Sequence, residues 1–319
     1  MKKLHLHTLL TLLFSVWIAL LTTSCEPISQ NRGQNQQGGS FASQNQDDKI
    51  SDTPQKDSPS KKAESLKILT WNLYNFGKSK SDEEIEYIAK TIKNYDVVAI
   101  QEIATSPAGA QGVAALADAL NRTGAKWDYS LSDPTEGAGT ERYAFLWKTS
   151  KAKLKKAWLE VKLASSLDRE PYCARFETAK SGESFMIVNF HAVPSSKNPE
   201  KEIEQLTFFT PTYKRDKILI MGDFNISEKH ACYDGLKKQG YESAIQNQKT
   251  SLRLKTAQDG ELLSQEYDNI LYEKKYFELK KADVIHFYRD FEDLKAARNI
   301  SDHIPVWVEV VIKTAKIQQ

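Results

Sequence analysis

Cysteine is scarce in this chain: there are three residues in 319, and with Cys25 close to the N-terminus only Cys173 and Cys232 are left further along. A fold held by a dense disulfide framework is therefore excluded, although those two could still pair in an oxidising compartment if their geometry allowed it. Net charge is nearly absent as well. Basic residues number 44 and acidic ones 42, and once a leader carrying Lys2 and Lys3 is removed the signs balance at 42 each. Attraction of a nucleic acid by the field of the whole protein is excluded with it, and only a local patch could serve. The cluster Lys148 to Lys156 is the candidate, though lysines on the outside of a sheet are commonly there for solvation. No internal repeat is visible.

The apolar run Leu9 to Leu21 is too short to span a membrane and follows Lys2 and Lys3, which suits the h-region of a signal peptide. It ends at Thr22-Thr23-Ser24-Cys25, which resembles a bacterial lipoprotein signal with Cys25 as the lipidated residue. The expectation is an exported protein, anchored by lipid in the bacterial cell envelope, or else secreted after ordinary cleavage. Residues 26–65 are rich in Gln, Asn, Ser, Gly and Lys, with Ile28, Phe41 and Ile50 the only large apolar residues. Such a segment cannot bury enough surface to offset its ordering entropy, so it is expected to be a disordered tether reaching roughly 35 Å. Residues 66–313 are long enough for one domain with a substantial core, and 314–319 are a tail.

Within that domain, Leu66 to Asn72 reads as a strand. A helix follows, capped by Ser81 with Glu84 three residues on, and carrying Ile85, Ile88, Ala89 and Ile92 on one face. Asp96 to Ile100 is an unbroken apolar run, as in a strand covered on both sides, and a second helix is predicted near Gln111 to Leu120. Further strands are predicted near Trp127 to Leu131, Tyr143 to Trp147, Trp158 to Leu163, Tyr172 to Phe176 and Phe185 to Phe190. Later come a helix near Glu200 to Phe209, the strand Lys217 to Met221 and a helix near His230 to Lys238. Tyr267 to Tyr272 and Ile304 to Ile312 close the chain as strands, Pro305 marking where the last begins. Many strands with helices interspersed indicate an α/β fold of two packed sheets with helices outside.

Four strand ends carry ionisable or amide side chains: Trp71-Asn72, Gln101-Glu102, Gly222-Asp223-Phe224-Asn225 and Ser301-Asp302-His303. One such end means little; four suggest a single polar site. A hard cation such as Mg²⁺ takes oxygen ligands, commonly one or two carboxylates, and Glu102 and Asp302 fit that role. His191 and His303 each have a carboxylate at another strand end, Glu141 and Asp268, able to fix the tautomer and stabilise the charged imidazole. Asp223 and Asn225 could orient a water and contact a phosphate oxygen, with Asn72 completing the floor. Each also fits a plain structural role, the Asp223–Asn225 pair as an Asx-type turn and a lone histidine as a hydrogen-bonded core group.

The segments Leu66 to Asn72 with Phe76-Gly77, Val98 to Glu102, Glu141-Arg142-Tyr143, Arg169-Glu170-Pro171, His191 to Pro194, Met221 to Asn225, Tyr267-Asp268 and Ser301 to Val306 appear in that order. In this the chain resembles the endonuclease/exonuclease/phosphatase superfamily, and within it the deoxyribonuclease I branch. The resemblance implies a four-layered α-β-β-α sandwich of two mainly antiparallel sheets and metal-dependent phosphodiester hydrolysis. By the same resemblance Glu102 and Asp302 hold Mg²⁺, with Mn²⁺ or Ca²⁺ as alternatives. His303 with Asp268 and His191 with Glu141 then share the acid and base roles. Asn72, Asp223 and Asn225 position water and phosphate, and Arg169 binds phosphate. The implied activity is an endonuclease that cuts DNA with little sequence preference, working as a monomer without an obligate protein partner. The alternative is a phosphodiesterase or phosphatase of the same superfamily acting on a phospholipid headgroup or other small phosphoester. A silent binding module is disfavoured, since every expected polar residue is present. Three positions depart from the nuclease pattern: Tyr74, Ala104 and Gly139 stand where the resemblance implies side chains that contact the DNA minor groove. The family's larger loop disulfide also lacks a partner, because Cys232 lies near one of its positions but no cysteine stands immediately before Tyr267.

Overall fold

The computed structural model describes residues 64–77 and 80–314. The expected leader with Cys25, the expected linker up to residue 63 and the tail beyond residue 314 lie outside the described residues.

In chain order the domain begins β1 (Ser65–Phe76), α1 (Asp82–Ile92), β2 (Val97–Ile103), α2 (Pro107–Asn121), β3 (Trp127–Leu131) and β4 (Arg142–Lys148). It continues β5 (Ala152–Leu159), β6 (Tyr172–Thr178), β7 (Ser184–His191), α3 (Glu200–Gln205), α4 (Phe209–Thr212) and β8 (Ile218–Asp223). The last elements are α5 (Asp234–Lys238), β9 (Tyr241–Ser243), β10 (Asp268–Glu273), β11 (Phe277–Val284), α6 (Leu294–Ile300) and β12 (Val306–Ile312). The strands form two six-stranded sheets, in the orders β11-β12-β1-β2-β4-β3 and β5-β6-β7-β8-β10-β9. In each sheet the central pair is parallel (β1 with β2, β7 with β8) and every other pairing is antiparallel. The two sheets therefore share one topology, a likeness that no sequence repeat announces.

The residues dictate this arrangement locally. Ser81 and Glu84 close a reciprocal capping box on α1, whose buried Ile85, Ile88, Ala89 and Ile92 face the first sheet. Each such aliphatic side chain contributes about 2 kcal/mol by leaving water. Ile203, Leu206, Phe209 and Leu236, from α3 through α5, cover the outer face of the second sheet against Val188, Phe190 and Ile220. Between the sheets lie large rings: Phe145 stacks on Tyr172 at 5.3 Å, and Trp147 meets Phe176 edge-on at 5.4 Å. One polar bridge crosses this core. Gln101 Nε2 donates to Asn189 Oδ1 at 2.6 Å, and Asn189 Nδ2 donates to the carbonyls of Ile100 and Ala144. Buried amides without such partners would each cost on the order of 1–3 kcal/mol.

Several expectations are corrected. The strand placed at Trp158 to Leu163 is β5, ending at Leu159, and Val161–Leu163 is a 3₁₀ turn. As an edge strand, β5 pairs only with β6 and carries its lysines outward, which hid its alternation. The polar edge strand β11, the three-residue β9 and the short α6 were not foreseen. The helix expected at Glu200 to Phe209 is split by a 3₁₀ turn into α3 and α4, and that at His230 to Lys238 begins as a 3₁₀ turn. The candidate basic patch is largely compensated: Lys148 and Lys151 pair with Asp96, and Lys155 with Glu177. Cys173 and Cys232 are both free and buried.

Candidate active site

The C-terminal ends of both central parallel pairs point to one end of the sandwich, which is where the polar side chains gather. In the second sheet, Asp223 is the register partner of His191 on one side and of Asp268 on the other. In the first sheet, Asn72 lies beside Gln101, one residue short of Glu102. The backbone there is bent out of regular strand geometry: Tyr74, Asn75 and Glu102 have φ of 39°, 52° and 61°, and both neighbouring pairings slip register. Left-handed conformations at residues bearing a Cβ cost on the order of 1–3 kcal/mol each. They are held by Asn72 Oδ1, which accepts from Tyr74 N at 2.9 Å, and by Glu102 Oε2, which accepts from Asn75 N at 3.0 Å.

Asn72 joins the two sheets. Its Nδ2 donates to Glu102 Oε1 at 3.0 Å and to Asp223 Oδ2 at 3.1 Å. The same Asp223 oxygen lies 3.4 Å from His191 Nε2 and 3.5 Å from His303 Nε2. Each imidazole is tied at its other nitrogen to its own carboxylate, His191 Nδ1 to Glu141 Oε2 at 2.9 Å and His303 Nδ1 to Asp268 Oδ2 at 2.7 Å. Glu141, His191, Asp223, Asp268 and His303 are all buried. Asp223 Oδ1 meanwhile accepts from Asn225 N at 3.0 Å, so the Asx-type turn and the site use opposite oxygens of one side chain. Asn225 Nδ2 donates to the Ala192 carbonyl.

Burial opposes charge on His191, Asp223, Asp268 and His303, and for all of these but Asp268 the neighbouring opposite charges overcome it. For His303 the charges of Asp268 and Asp223 outweigh burial and raise its pKa well above the usual imidazole value. His191 is raised too, burial being outweighed chiefly by Glu141. Burial would also raise Asp223, but His303 and His191 together with its hydrogen bonds hold it below the usual carboxylate range. Asp268 is pushed up to about 6 by burial, aided by the like charge of Asp223 and opposed by His303. The row Glu141, His191, Asp223, His303, Asp268 is thus a chain of alternating charges that can release or accept a proton at an Nε2 atom.

Around this row the residues suit a hard cation. Asp302 Oδ2 accepts from Arg298 at 3.1 Å, whereas its buried Oδ1 has no hydrogen-bond partner. Each Glu102 oxygen accepts a single N–H, which leaves lone pairs open. Both carboxylates act on the ammonium of Lys80, whose pKa burial lowers against the pull of Glu84, Asp302 and Glu102. An unsatisfied carboxylate oxygen beside a second carboxylate with open lone pairs is what a divalent cation would complete. Among the described residues, the His, Cys, Asp and Glu donor atoms found within 4.8 Å of one another belong instead to Asp223, Asp268 and His303. Both nitrogens of His303 already face carboxylate oxygens there, so that group is better read as the proton-handling row than as the cation's seat.

Arg169, expected to bind phosphate, turns its guanidinium onto backbone: Nε donates to the His191 carbonyl at 3.0 Å, Nη2 to that of Ala192 and Nη1 weakly to that of Gly139. It also lies 3.8 Å from Glu141, so it fixes the turn after β7 and steadies the carboxylate behind His191. Two residues escaped notice. Thr250 Oγ1 donates to Asp268 Oδ2 at 2.7 Å while accepting from Asp268 N and Tyr267 N, and Ser301 Oγ donates to the Asn72 carbonyl while accepting from His303 N. Ser301 sits inside the recognised Ser-Asp-His segment, whereas nothing around Thr250 signals its role. Beside His191 and Glu102 opens a cleft of about 300 Å³.

The sequence profile of the Endonuclease/Exonuclease/phosphatase family matches residues 69–303. Deoxyribonuclease-1-like 1 of Sus scrofa is 25% identical over 278 residues, covering 80% of this chain and 84% of that protein. Deoxyribonuclease-1 of Bos taurus is 30% identical over 173 residues, covering 50% of this chain and 61% of that one. Among solved structures, an endonuclease/exonuclease/phosphatase family protein from Bacteroides thetaiotaomicron superposes with a TM-score of 0.59 at 17% identity. It covers 79% of this chain and 99% of that one, a likeness of fold.

Proposed function

The chain belongs to the endonuclease/exonuclease/phosphatase family, on its deoxyribonuclease I-like branch, and from that premise we propose a metal-dependent endonuclease that hydrolyses DNA with little sequence specificity. The observation that carries the reading is the pair of carboxylate-backed imidazoles whose Nε2 atoms both lie within 3.5 Å of one Asp223 oxygen. In-line displacement at phosphorus needs a proton removed from the attacking water and one delivered to the leaving oxygen on the far side. Two histidines flanking a common point suit that division. Asp223, held in place by Asn72, orients the water, and the imidazolium charge stabilises the oxygen on which negative charge develops. Glu102 and Asp302 would hold the divalent cation, Mg²⁺ foremost, which supplies Lewis-acid stabilisation of the phosphoryl oxygens when bound.

The test is incubation of purified protein with supercoiled plasmid. Nicking that chelator abolishes, and that His191→Ala and His303→Ala each remove, supports the reading. Hydrolysis of a phospholipid headgroup or another small phosphoester with the plasmid intact overturns it. The Lys2-Lys3, Leu9 to Leu21 and Cys25 pattern supports export and lipid anchoring as part of the same proposal. Cys25→Ser should then move the protein from the membrane fraction to the soluble one, and an unchanged fractionation would refute the anchor.

A further inference from the structure

The cleft beside the histidines has walls that the proposed chemistry does not use. It is lined by His191, Glu141 and Glu102 of the candidate site and by Ala104, Thr105, Ala138, Gly139 and Thr140, which carry no charge. A group entering it therefore lies next to the phosphate being processed. The walls are small and neutral, and they are built to stay in place. Asp168 accepts from Ala138 N and Gly139 N, both at 3.0 Å, and Glu170 accepts from Glu136 N, pinning the loop from both sides. A Cβ on Gly137 would fall 1.6 Å from the Asp168 carbonyl oxygen, and one on Gly139 would fall 2.5 Å from Asp168 Oδ2. At Gly137 the clash is with backbone, so the loop lies this close to Asp168 only because glycine stands there, whereas at Gly139 it is with the end of a side chain. Two of the three departures from the nuclease pattern, Ala104 and Gly139, are thus walls of a recess rather than projections toward a duplex.

Shape and charge agree about the occupant. A volume of about 300 Å³ is at the lower end of ligand pockets and admits one sugar-and-base unit. A base stacked and paired in a duplex cannot enter a recess, and turning it out costs unstacking and unpairing, least when the strand is already single. Binding a duplex also calls for several cations along the phosphates. Among the described residues the cations lining this cleft are His191, whose charge serves the displacement, and Arg169, which gives three of its N–H groups to backbone carbonyls. We infer, resting on the nuclease reading, that the cleft receives the unpaired nucleoside attached to the scissile phosphate, so that single-stranded DNA is the preferred substrate.

The experiment compares kcat/KM on a short single-stranded oligonucleotide and on the same sequence in duplex. It then compares single strands carrying one cleavable phosphodiester whose flanking nucleosides, on either side, are normal or abasic. Wild type is expected to favour the single strand over the duplex at least tenfold, and to lose a similar factor when one particular flanking base is missing. Ala104→Leu and Thr105→Trp narrow the cleft from two different positions and should raise KM for the base-bearing strand about tenfold while leaving the abasic strand unaffected. Mere damage to the fold would lower both substrates together, and thermal unfolding of each variant records it. Equal rates on duplex and single strand, or variants that slow both strands alike, overturn the inference and leave the nuclease reading standing. Absence of cleavage on every nucleic acid overturns both.

Discussion

Replacing Asn72 by aspartate exchanges one NH₂ for an oxygen in a nearly isosteric side chain, and the structure makes that small change severe. Asn72 Nδ2 sits 3.0 Å from Glu102 Oε1 and 3.1 Å from Asp223 Oδ2, with no solvent contact. Two hydrogen bonds to carboxylates, each contributing about 1.5–3 kcal/mol, become two contacts between acceptors. The new carboxyl can stay only by holding a proton, and a buried carboxyl between two others has its pKa raised by about 3 units. At about 1.4 kcal/mol per unit, the substitution should cost about 4 kcal/mol at pH 8. The sign follows from linkage. A group whose folded pKa is raised destabilises above its unfolded value of about 3.9, and the deficit shrinks as pH falls toward that value. Urea unfolding of wild type and Asn72→Asp at pH 8 and pH 5 would measure it, with Asn72→Ala as the control that loses the donors without adding charge. A deficit that is the same at both pH values, or no deficit at all, would refute the placement of Asn72 as the donor joining the two sheets.

Other outcomes follow from the same geometry. His191→Ala and His303→Ala should each lower kcat on plasmid about 10²- to 10⁴-fold, and the double variant should lose much less than the product, because the two act on one displacement. Stability should decline as pH rises from about 6.5, where the unfolded imidazole loses its proton while folded His303, whose pKa is raised by Asp268 and Asp223, still holds it, until that proton too is lost at the raised folded value. Thermal melts between pH 6 and 9 on wild type and His303→Gln check this, and an equally steep decline in the variant would exclude His303 as the cause. Thr250→Val removes the hydroxyl that serves Asp268 Oδ2 and two backbone N–H groups. It should cost about 1–3 kcal/mol and lower kcat more than it changes KM, read by urea titration and steady-state kinetics.

Much of this was legible in the chain because local rules govern it. The capping box at Ser81 and Glu84, the doubly covered run Val97 to Ile100 and the strand ends bearing Asn72, Glu102, Asp223 and His303 depend only on nearby residues. The pairing of His191 with Glu141 and of His303 with Asp268 followed from strand-end positions and is present at 2.9 and 2.7 Å. The lysine-bearing β5 and the polar β11 were misread or missed, because an edge strand gets half its hydrogen bonds and little burial, so its pattern is weak. Thr250 was invisible for another reason: its three partners come together only when the loop before β10 folds back over Asp268.

The amino-acid order by itself determined which side chains carry charge and that they stand at the mouths of strands, since strand periodicity and turn chemistry are short-range. Tertiary structure alone decided that one Asp223 oxygen serves both histidines, that Arg169 is committed to backbone carbonyls, and that Ala104 and Gly139 line a recess. Those outcomes depend on how separately formed strands and sheets approach across a packed core, a matter of shape and distance between residues tens of positions apart.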